Sequence, residues 1–402
     1  MTEALVLDYV RTARGKGSSR GALHRVSPVE LVVRLQRALA ARTGLDPSRV
    51  QDVIIGSASQ VDEQGADLAR TATLLAGWGH GVPGATINRF CASGVDAVAQ
   101  TAARIRAGDL SLAVAGGVES VSRVPMFSDR GPLWTDPETI RHVGSVHMGI
   151  AADLNATLDG LTREELDAYG VETQRKAARA WEEGVHARSV VPVELPDGSF
   201  FSQDELVRPD TRPEQLAALP PAFAGLGAEG QDAIALAAHP EAGEIRHLHT
   251  VGTSPALADG AALLLLGSAE TAAALGLRPR ARIIGSAAVA TDPVIMLTAG
   301  QQAVEAVIAR AGLTPGDIDV FEFAEAFAAL CLKFRRDLGA GPDRMNPNGG
   351  TIALGHAFGA TGAIMAGGCV EELERRGGRY GVAAVSGAAG LGVAVLIERM
   401  DA

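Results

Sequence analysis

Cys91 stands in the stretch Asn88-Arg89-Phe90-Cys91-Ala92-Ser93-Gly94. An apolar run, Val82 to Ile87, ends just before it, and a helix-like run, Val95 to Ala107, starts just after it. A thiol at such a strand-to-helix junction faces unpaired N–H groups and the positive end of the helix dipole, both of which favour thiolate. The arrangement predicts a nucleophile near neutral pH. The competing reading is a small buried cysteine in a tight turn, since free cysteine is among the most buried residue types. Cys331 and Cys369 lie in apolar helical runs and read as core. His247 and His249 are one residue apart with no third ligand beside them, so strand alternation explains them better than a metal.

The elements that position Cys91 come from a repeat. Gly44-Leu45-Asp46-Pro47-Ser48-Arg49-Val50 resembles Gly312-Leu313-Thr314-Pro315-Gly316-Asp317-Ile318 at an offset of 268 residues. Each copy follows an apolar-periodic helix, Leu31 to Ala41 and Ala303 to Ala311, and leads into a strand through a Pro-containing turn. The same offset carries Cys91 into Gly355-His356-Ala357-Phe358-Gly359 and matches Leu112–Ala115 with Val382–Val385. Three windows at one offset indicate duplicated halves. His356, near the repeat-related position of Cys91, is then a candidate to take the thiol proton or to donate to an oxyanion.

Short apolar runs read as strands buried on both faces: Ala4–Asp8, Val53–Ser57, Leu112–Ala115, Ala262–Leu266, Arg282–Val289, Val320–Phe323, Val382–Val385 and Val393–Glu398. They alternate with helices, which predicts an α/β protein with helices on both faces of a mixed sheet. The segment from about Ser120 to Thr250 is more polar, holds one long helix, Arg163 to Glu183, and reads as an inserted loop domain with no sheet core. The expected division is 1–119 for the first part of the N-terminal half, 120–250 for the loop domain, 251–270 for a return strand and 271–402 for the C-terminal half. A net charge of −11 argues against nucleic-acid partners and anionic membranes. Three cysteines without framework spacing, no signal peptide and no spanning apolar run predict a cytoplasmic protein that needs no metal.

Several stretches together resemble the thiolases, the acyl-CoA C-acyltransferase family. They are Asn88 to Gly94, Ala115-Gly116-Gly117-Val118-Glu119-Ser120, His147-Met148-Gly149, Asp259-Gly260-Ala261-Ala262, Glu322-Phe323-Ala324-Glu325-Ala326-Phe327 and Asn346 to Gly362. They run the length of the chain in the family's order. The resemblance implies a thiolase fold, with duplicated βαβαβαββ halves in a layered α-β-α-β-α core and a loop domain over the coenzyme A site. It implies a homodimer or homotetramer, and acyl-CoA as substrate with no bound cofactor. It also implies a ping-pong reaction through an acyl-cysteine on Cys91, with His356 as activating partner. The N–H groups of Cys91 and Ala388 would hold the thioester oxygen. His147, Met148, Ser254 and Phe327 would line the pantetheine and acyl tunnel, although the serine that often contacts pantetheine aligns with Pro255.

The departures fall on one side of that site. Ser386 occupies the place of the family's second cysteine, the acid/base of the C–C step. An alcohol trades protons at neutral pH far less readily than a thiol near pKa 8.5. Ala324 replaces an asparagine that orders a water for enolate binding. Ala357 replaces a proline, and Ala388-Ala389-Gly390 replaces a Gly-rich stretch. Glu325 reads as structural and is the spare carboxylate if a substitute base is needed. Three readings follow: a 3-ketoacyl-CoA thiolase or acetyl-CoA acetyltransferase with a substitute base; an acyltransferase, hydrolase or condensing enzyme of the same fold without the usual Claisen or thiolysis step; and a non-catalytic acyl-CoA-binding subunit, which retention of Cys91 and His356 disfavours.

Overall fold

In a computed structural model, which describes residues 2–400, twelve strands fall in chain order. They are β1 Leu5–Arg11, β2 Gly15–Lys16, β3 Val53–Gly56, β4 Ala85–Ile87, β5 Leu112–Ser120, β6 Val193–Glu194, β7 Phe200–Phe201, β8 Ala258–Gly267, β9 Ala281–Ala290, β10 Val320–Phe323, β11 Tyr380–Ser386 and β12 Leu391–Arg399. The main sheet runs β10-β11-β12-β9-β1-β8-β5-β3-β4, with β2 paired to β8. The order is nearly palindromic in repeat terms. β9 and β1 meet antiparallel at the centre, β12 and β8 flank them, and β11 and β5 follow. The 268-residue offset holds in space: β5 opens at Leu112 and β11 at Tyr380, and the Pro47 and Pro315 turns are both single 3-10 turns.

The Leu263-Leu264-Leu265-Leu266 run of β8 shows why these strands carry no polar alternation. Leu263 and Leu265 face a layer built with the helix Pro28–Thr43, while Leu264 and Leu266 face a central layer. Both faces are buried, so every position is apolar. Fully burying each leucine contributes about 1.5–3 kcal/mol. The central layer lies between the two half-sheets. Its filling is the helix Ser93–Ala107 from the first half and the helix Phe358–Arg376 from the second. The outer layer of the second half holds Ala299–Arg310, Ala328–Leu338 and part of the inserted segment. Helix and sheet layers thus alternate through the molecule.

The two central helices cross at their N-terminal ends because glycines permit it. A methyl group on Gly94 would sit 2.3 Å from Gly359 O, and one on Gly362 would sit 2.5 Å from Val95 N. This crossing brings Cys91, just ahead of one helix, toward His356, just ahead of the other.

The structure corrects several sequence expectations. The short β2 was not among the expected strands, while β4 falls in the apolar run ahead of Cys91. Within the inserted segment β6 and β7 form a two-stranded ribbon. Its long helix, Arg163–Glu182, starts at a Thr162/Glu165 capping box. Phe327 is the N-cap of the helix Ala328–Leu338 rather than part of it. His247 and His249 are not in a strand. Their separation is set by Asp153, whose two carboxylate oxygens meet His247 Nδ1 at 3.0 Å and His249 Nδ1 at 2.7 Å.

Candidate active site

The Cys91 turn is pinned by its own polar side chains. Phe90 N–H donates to Asn88 Oδ1 at 2.8 Å, and Ser93 Oγ accepts from Arg89 N–H at 2.8 Å while donating to Phe90 O at 2.6 Å. Asn88 Nδ2 ties the turn to Ala58 O. These bonds hold Phe90 at φ 50°, a left-handed conformation that turns the chain sharply from β4 into the helix. Cys91 is left at the tip, partly buried, on the wall of a cavity of about 1040 Å³.

His356 reaches the same cavity from the other half. Gly355, at φ 100° and ψ 150°, adopts a backbone conformation essentially reserved for glycine. His356 N–H then donates to Ala256 O at 2.7 Å, and His356 O accepts from Ala258 N–H at 3.2 Å. The ring Nδ1 lies 2.9 Å from Thr361 Oγ1, and Phe358 packs edge-on at 5.1 Å. With Nδ1–H assigned as donor to Thr361, Nε2 is an acceptor. No hydrogen bond joins Cys91 to His356 in this structure.

The electrostatics overturn the expected thiolate. Burial, with the Glu119 carboxylate adding to it, pushes the Cys91 thiol up to about 12; only its own backbone N–H opposes this. Burial, then the Arg14 guanidinium, pulls His356 down to about 3. The fractional charge of a helix N-terminus is outweighed by desolvation and a nearby anion. The resting pair is a neutral thiol and a neutral imidazole. Glu119 itself is fully buried and accepts from Ala58, Ser59 and Gly359 N–H and from Gln64 Nε2, so it ties the N-terminus of the helix Phe358–Arg376 to the loop after β3.

The other expected residues fall in two groups. His147, Met148, Ser254, Phe327, Ser386 and Ala388 all line the cavity. His147 caps the helix Met148–Leu158, its Nδ1 accepting from Gly149 N–H at 3.0 Å, and burial lowers its pKa. Ser254 Oγ is buried with no hydrogen-bond partner, although the sequence alignment had pointed to Pro255. Among the described residues, Ala388 N–H has no backbone hydrogen-bond partner, and Cys91 N–H has none beyond its own thiol sulfur. Ala389, next to Ala388, holds φ 55°, where an alanine costs about 1–2 kcal/mol. Ser386 is different. Its hydroxyl donates to Leu297 O at 2.7 Å and accepts from Gly300 N–H at 3.0 Å.

Two residues stay outside the cavity wall. Ala324 is buried in the central layer with its N–H on Ala384 O. Glu325 is fully enclosed: it accepts from Tyr169, Thr173, Asn346 and the Ile352 N–H. It ties the long helix of the inserted segment to the loop that leads to His356. Glu325 is therefore a structural lock, and the idea that it serves as a spare base is not carried by its position. Sequence reasoning passed over Thr361, Glu119 and Arg14. A signal for Arg14 was present, since Arg11 and Arg14 follow an apolar strand with no acidic residue between them.

Cys91, His356 and Ala388 thus line one cavity, and comparisons with known proteins give the chain a family. Residues 4–230 match the family described as "Thiolase, N-terminal domain", and residues 277–399 match "Thiolase, C-terminal domain". The chain belongs to the thiolase family. It is 37% identical over 423 residues to the 3-oxoadipyl-CoA/3-oxo-5,6-dehydrosuberyl-CoA thiolase of Escherichia coli (strain K12), with 100% of both chains covered. It is 36% identical over 410 residues to a 3-ketoacyl-CoA thiolase of Klebsiella pneumoniae subsp. pneumoniae, again with full coverage of both. The crystal structure of the Bacillus anthracis acetyl-CoA acetyltransferase superposes with a TM-score of 0.86 at 33% identity, covering 100% of this chain and 99% of that one. The thiolase fold and an acyltransferase of the acyl-CoA C-acyltransferase class follow from this membership.

Proposed function

We propose that this thiolase takes an acyl group from a coenzyme A thioester onto Cys91. The observation that carries the reading is that Cys91, His356 and Ala388, from distant parts of the chain, line one cavity. As Sγ attacks the thioester carbonyl, His356 Nε2 takes the thiol proton. The oxyanion is held by the N–H groups of Cys91 and Ala388. When the C–S bond to coenzyme A breaks, the imidazolium returns the proton to the departing thiolate. The products are acyl-Cys91, free coenzyme A and a neutral imidazole. A neutral resting pair suits this sequence, because the proton moves only as the thiol attacks.

The cavity supports a coenzyme A thioester as substrate rather than as a resident cofactor. Its rim carries exposed Arg208, Val251 and Leu257, and its wall carries His147, Met148 and Phe327. Ser254 Oγ, unpaired and facing the cavity, fits a pantetheine amide. In the second half-reaction Ser386 does not exchange a proton, so the acyl group goes to an acceptor that needs no deprotonation at that position. The names of the relatives favour a second reading, in which the acceptor is coenzyme A and a 3-ketoacyl-CoA is cleaved. Among the described residues no helix is long and apolar enough to cross a membrane. We expect a cytoplasmic homodimer or homotetramer without nucleic-acid partners.

The test is intact-protein mass spectrometry after mixing with a panel of acyl-CoAs from acetyl upward. One acyl adduct is expected, and it should be absent from Cys91→Ala. No adduct across the panel, or one that survives in Cys91→Ala, sinks the proposal.

A further inference from the structure

We propose that Arg14 is a positioning residue for His356, joining the substrate-facing part of the inserted segment to the turn that carries the base. The inference rests on the acyl-transfer role proposed for His356. Arg14 lies just beyond β1, is 6% exposed, and its Nη1 donates to Gly355 O at 3.0 Å. Gly355 is the residue whose glycine-only backbone aims His356 at the cavity. A buried carbonyl in that conformation has this guanidinium as its side-chain donor, so the turn's geometry depends on where the guanidinium sits.

The Arg14 main chain is fixed in turn from the other side, while its Nε is buried without a partner. Arg14 N–H donates to Asp204 Oδ1 at 2.7 Å, and Arg14 O accepts from Glu205 N–H at 3.0 Å. Asp204 is clamped by Arg11 through bonds of 2.9 and 3.1 Å, an arrangement that fixes both direction and distance. Two and four residues further on, Leu206 and Arg208 line the substrate cavity, as does Lys16 on β2. A continuous path therefore runs from the cavity rim through Asp204 and Arg14 to Gly355 and His356. Arg14 is also the charged group felt by His356, and it opposes protonation of the ring. The Cys91 thiol faces the same cavity, and Thr361 meets the ring from the helix behind it.

Single-turnover acyl loading of Cys91, followed by quenched mass spectrometry over a range of acyl-CoA concentrations, tests the inference. Arg14→Met should lower the saturating rate about 10- to 100-fold, the scale of a misplaced catalytic group. The half-saturating acyl-CoA concentration should stay within about twofold, since binding groups are untouched. Arg14→Lys, which keeps a donor and a charge, should recover most of the rate. If the Met variant does not fold, Arg14→Gln is read by the same criteria. Alkylation of Cys91 by iodoacetamide gives a second rate that needs no acyl-CoA and should fall in the same order. Loading by the Met variant at the wild-type rate, a loss confined to half-saturation, or a Lys variant as slow as Met overturns the inference. If the wild type loads no acyl group, the acyl-transfer reading fails, and alkylation alone decides whether Arg14 positions the pair.

Discussion

Cys91 and Ser386 line one cavity and treat their polar groups in opposite ways. On the Cys91 wall of the cavity, hydrogen-bonding capacity is left open: Ala388 N–H has no backbone partner, and Ser254 Oγ is buried without one. At the Ser386 corner the hydroxyl has both of its roles taken, as donor to Leu297 O and acceptor from Gly300 N–H. Buried polar groups in a folded protein are nearly always paired, so open ones mark where a ligand completes the site. On the reading proposed above, one part of the cavity meets substrate, while the Ser386 hydroxyl is bound into the scaffold. Ser386 is both a weaker acid than a thiol and tied to the backbone around the start of the helix Ala299–Arg310.

The contrast breaks most sharply at His356. His356→Ala should slow acyl loading by roughly two to four powers of ten, as for loss of a general base. Quenched-flow mass spectrometry measures this, and a loss under about threefold would place the base elsewhere.

Next in size is the reciprocal change at the silent corner. Ser386→Cys with Ala324→Asn frees a thiol from the Leu297 and Gly300 bonds and restores the family's pair. Cleavage of a 3-ketoacyl-CoA should rise by at least about tenfold, while acyl loading stays within about twofold. Loss of the 3-ketoacyl-CoA absorbance is the assay. Wild-type turnover near the usual enzyme range of about 10 per second would show that the corner is not silent.

The pH dependence sharpens the comparison further. His356 is pulled down to about 3 and the Cys91 thiol is pushed up to about 12, so neither changes protonation in the ordinary range. Protonating His356 removes the base, and that occurs only as pH falls toward its depressed value. Loading should therefore vary by less than about threefold from roughly pH 5 to pH 9. A thiolate–imidazolium pair would instead give an acid limb inside that window, and finding one would overturn the neutral-pair assignment.

The smallest effect on chemistry is expected at Glu325. Glu325→Gln keeps the shape but loses charge-assisted bonds from Tyr169, Thr173 and Asn346, which should lower stability by about 1–3 kcal/mol. The saturating loading rate of the folded fraction should change by less than about twofold. A large loss of C–C cleavage without loss of stability, by thermal melt and absorbance assay together, would instead make Glu325 the substitute base.

The sequence by itself determined the α/β mixed sheet, the repeat and the turn that holds Cys91, while the layered arrangement came from the family resemblance. Those features are local or periodic: an apolar Leu263–Leu266 run, a Pro turn repeated at 268 residues, and an Asn88–Ser93 turn whose side chains close it. Tertiary structure decided the rest. The protonation states of Cys91 and His356 depend on how much water and which charges the assembled halves leave beside them, and Glu119 and Arg14 come from β5 and from the turn after β1. Whether Ser386 is free or bound depends on Leu297 and Gly300, which lie 89 and 86 residues away along the chain. The orientation of His356 depends on Arg14, 341 residues before Gly355. A one-dimensional pattern carries residue types and spacing, but desolvation and hydrogen-bond partnership exist only once distant segments are packed together.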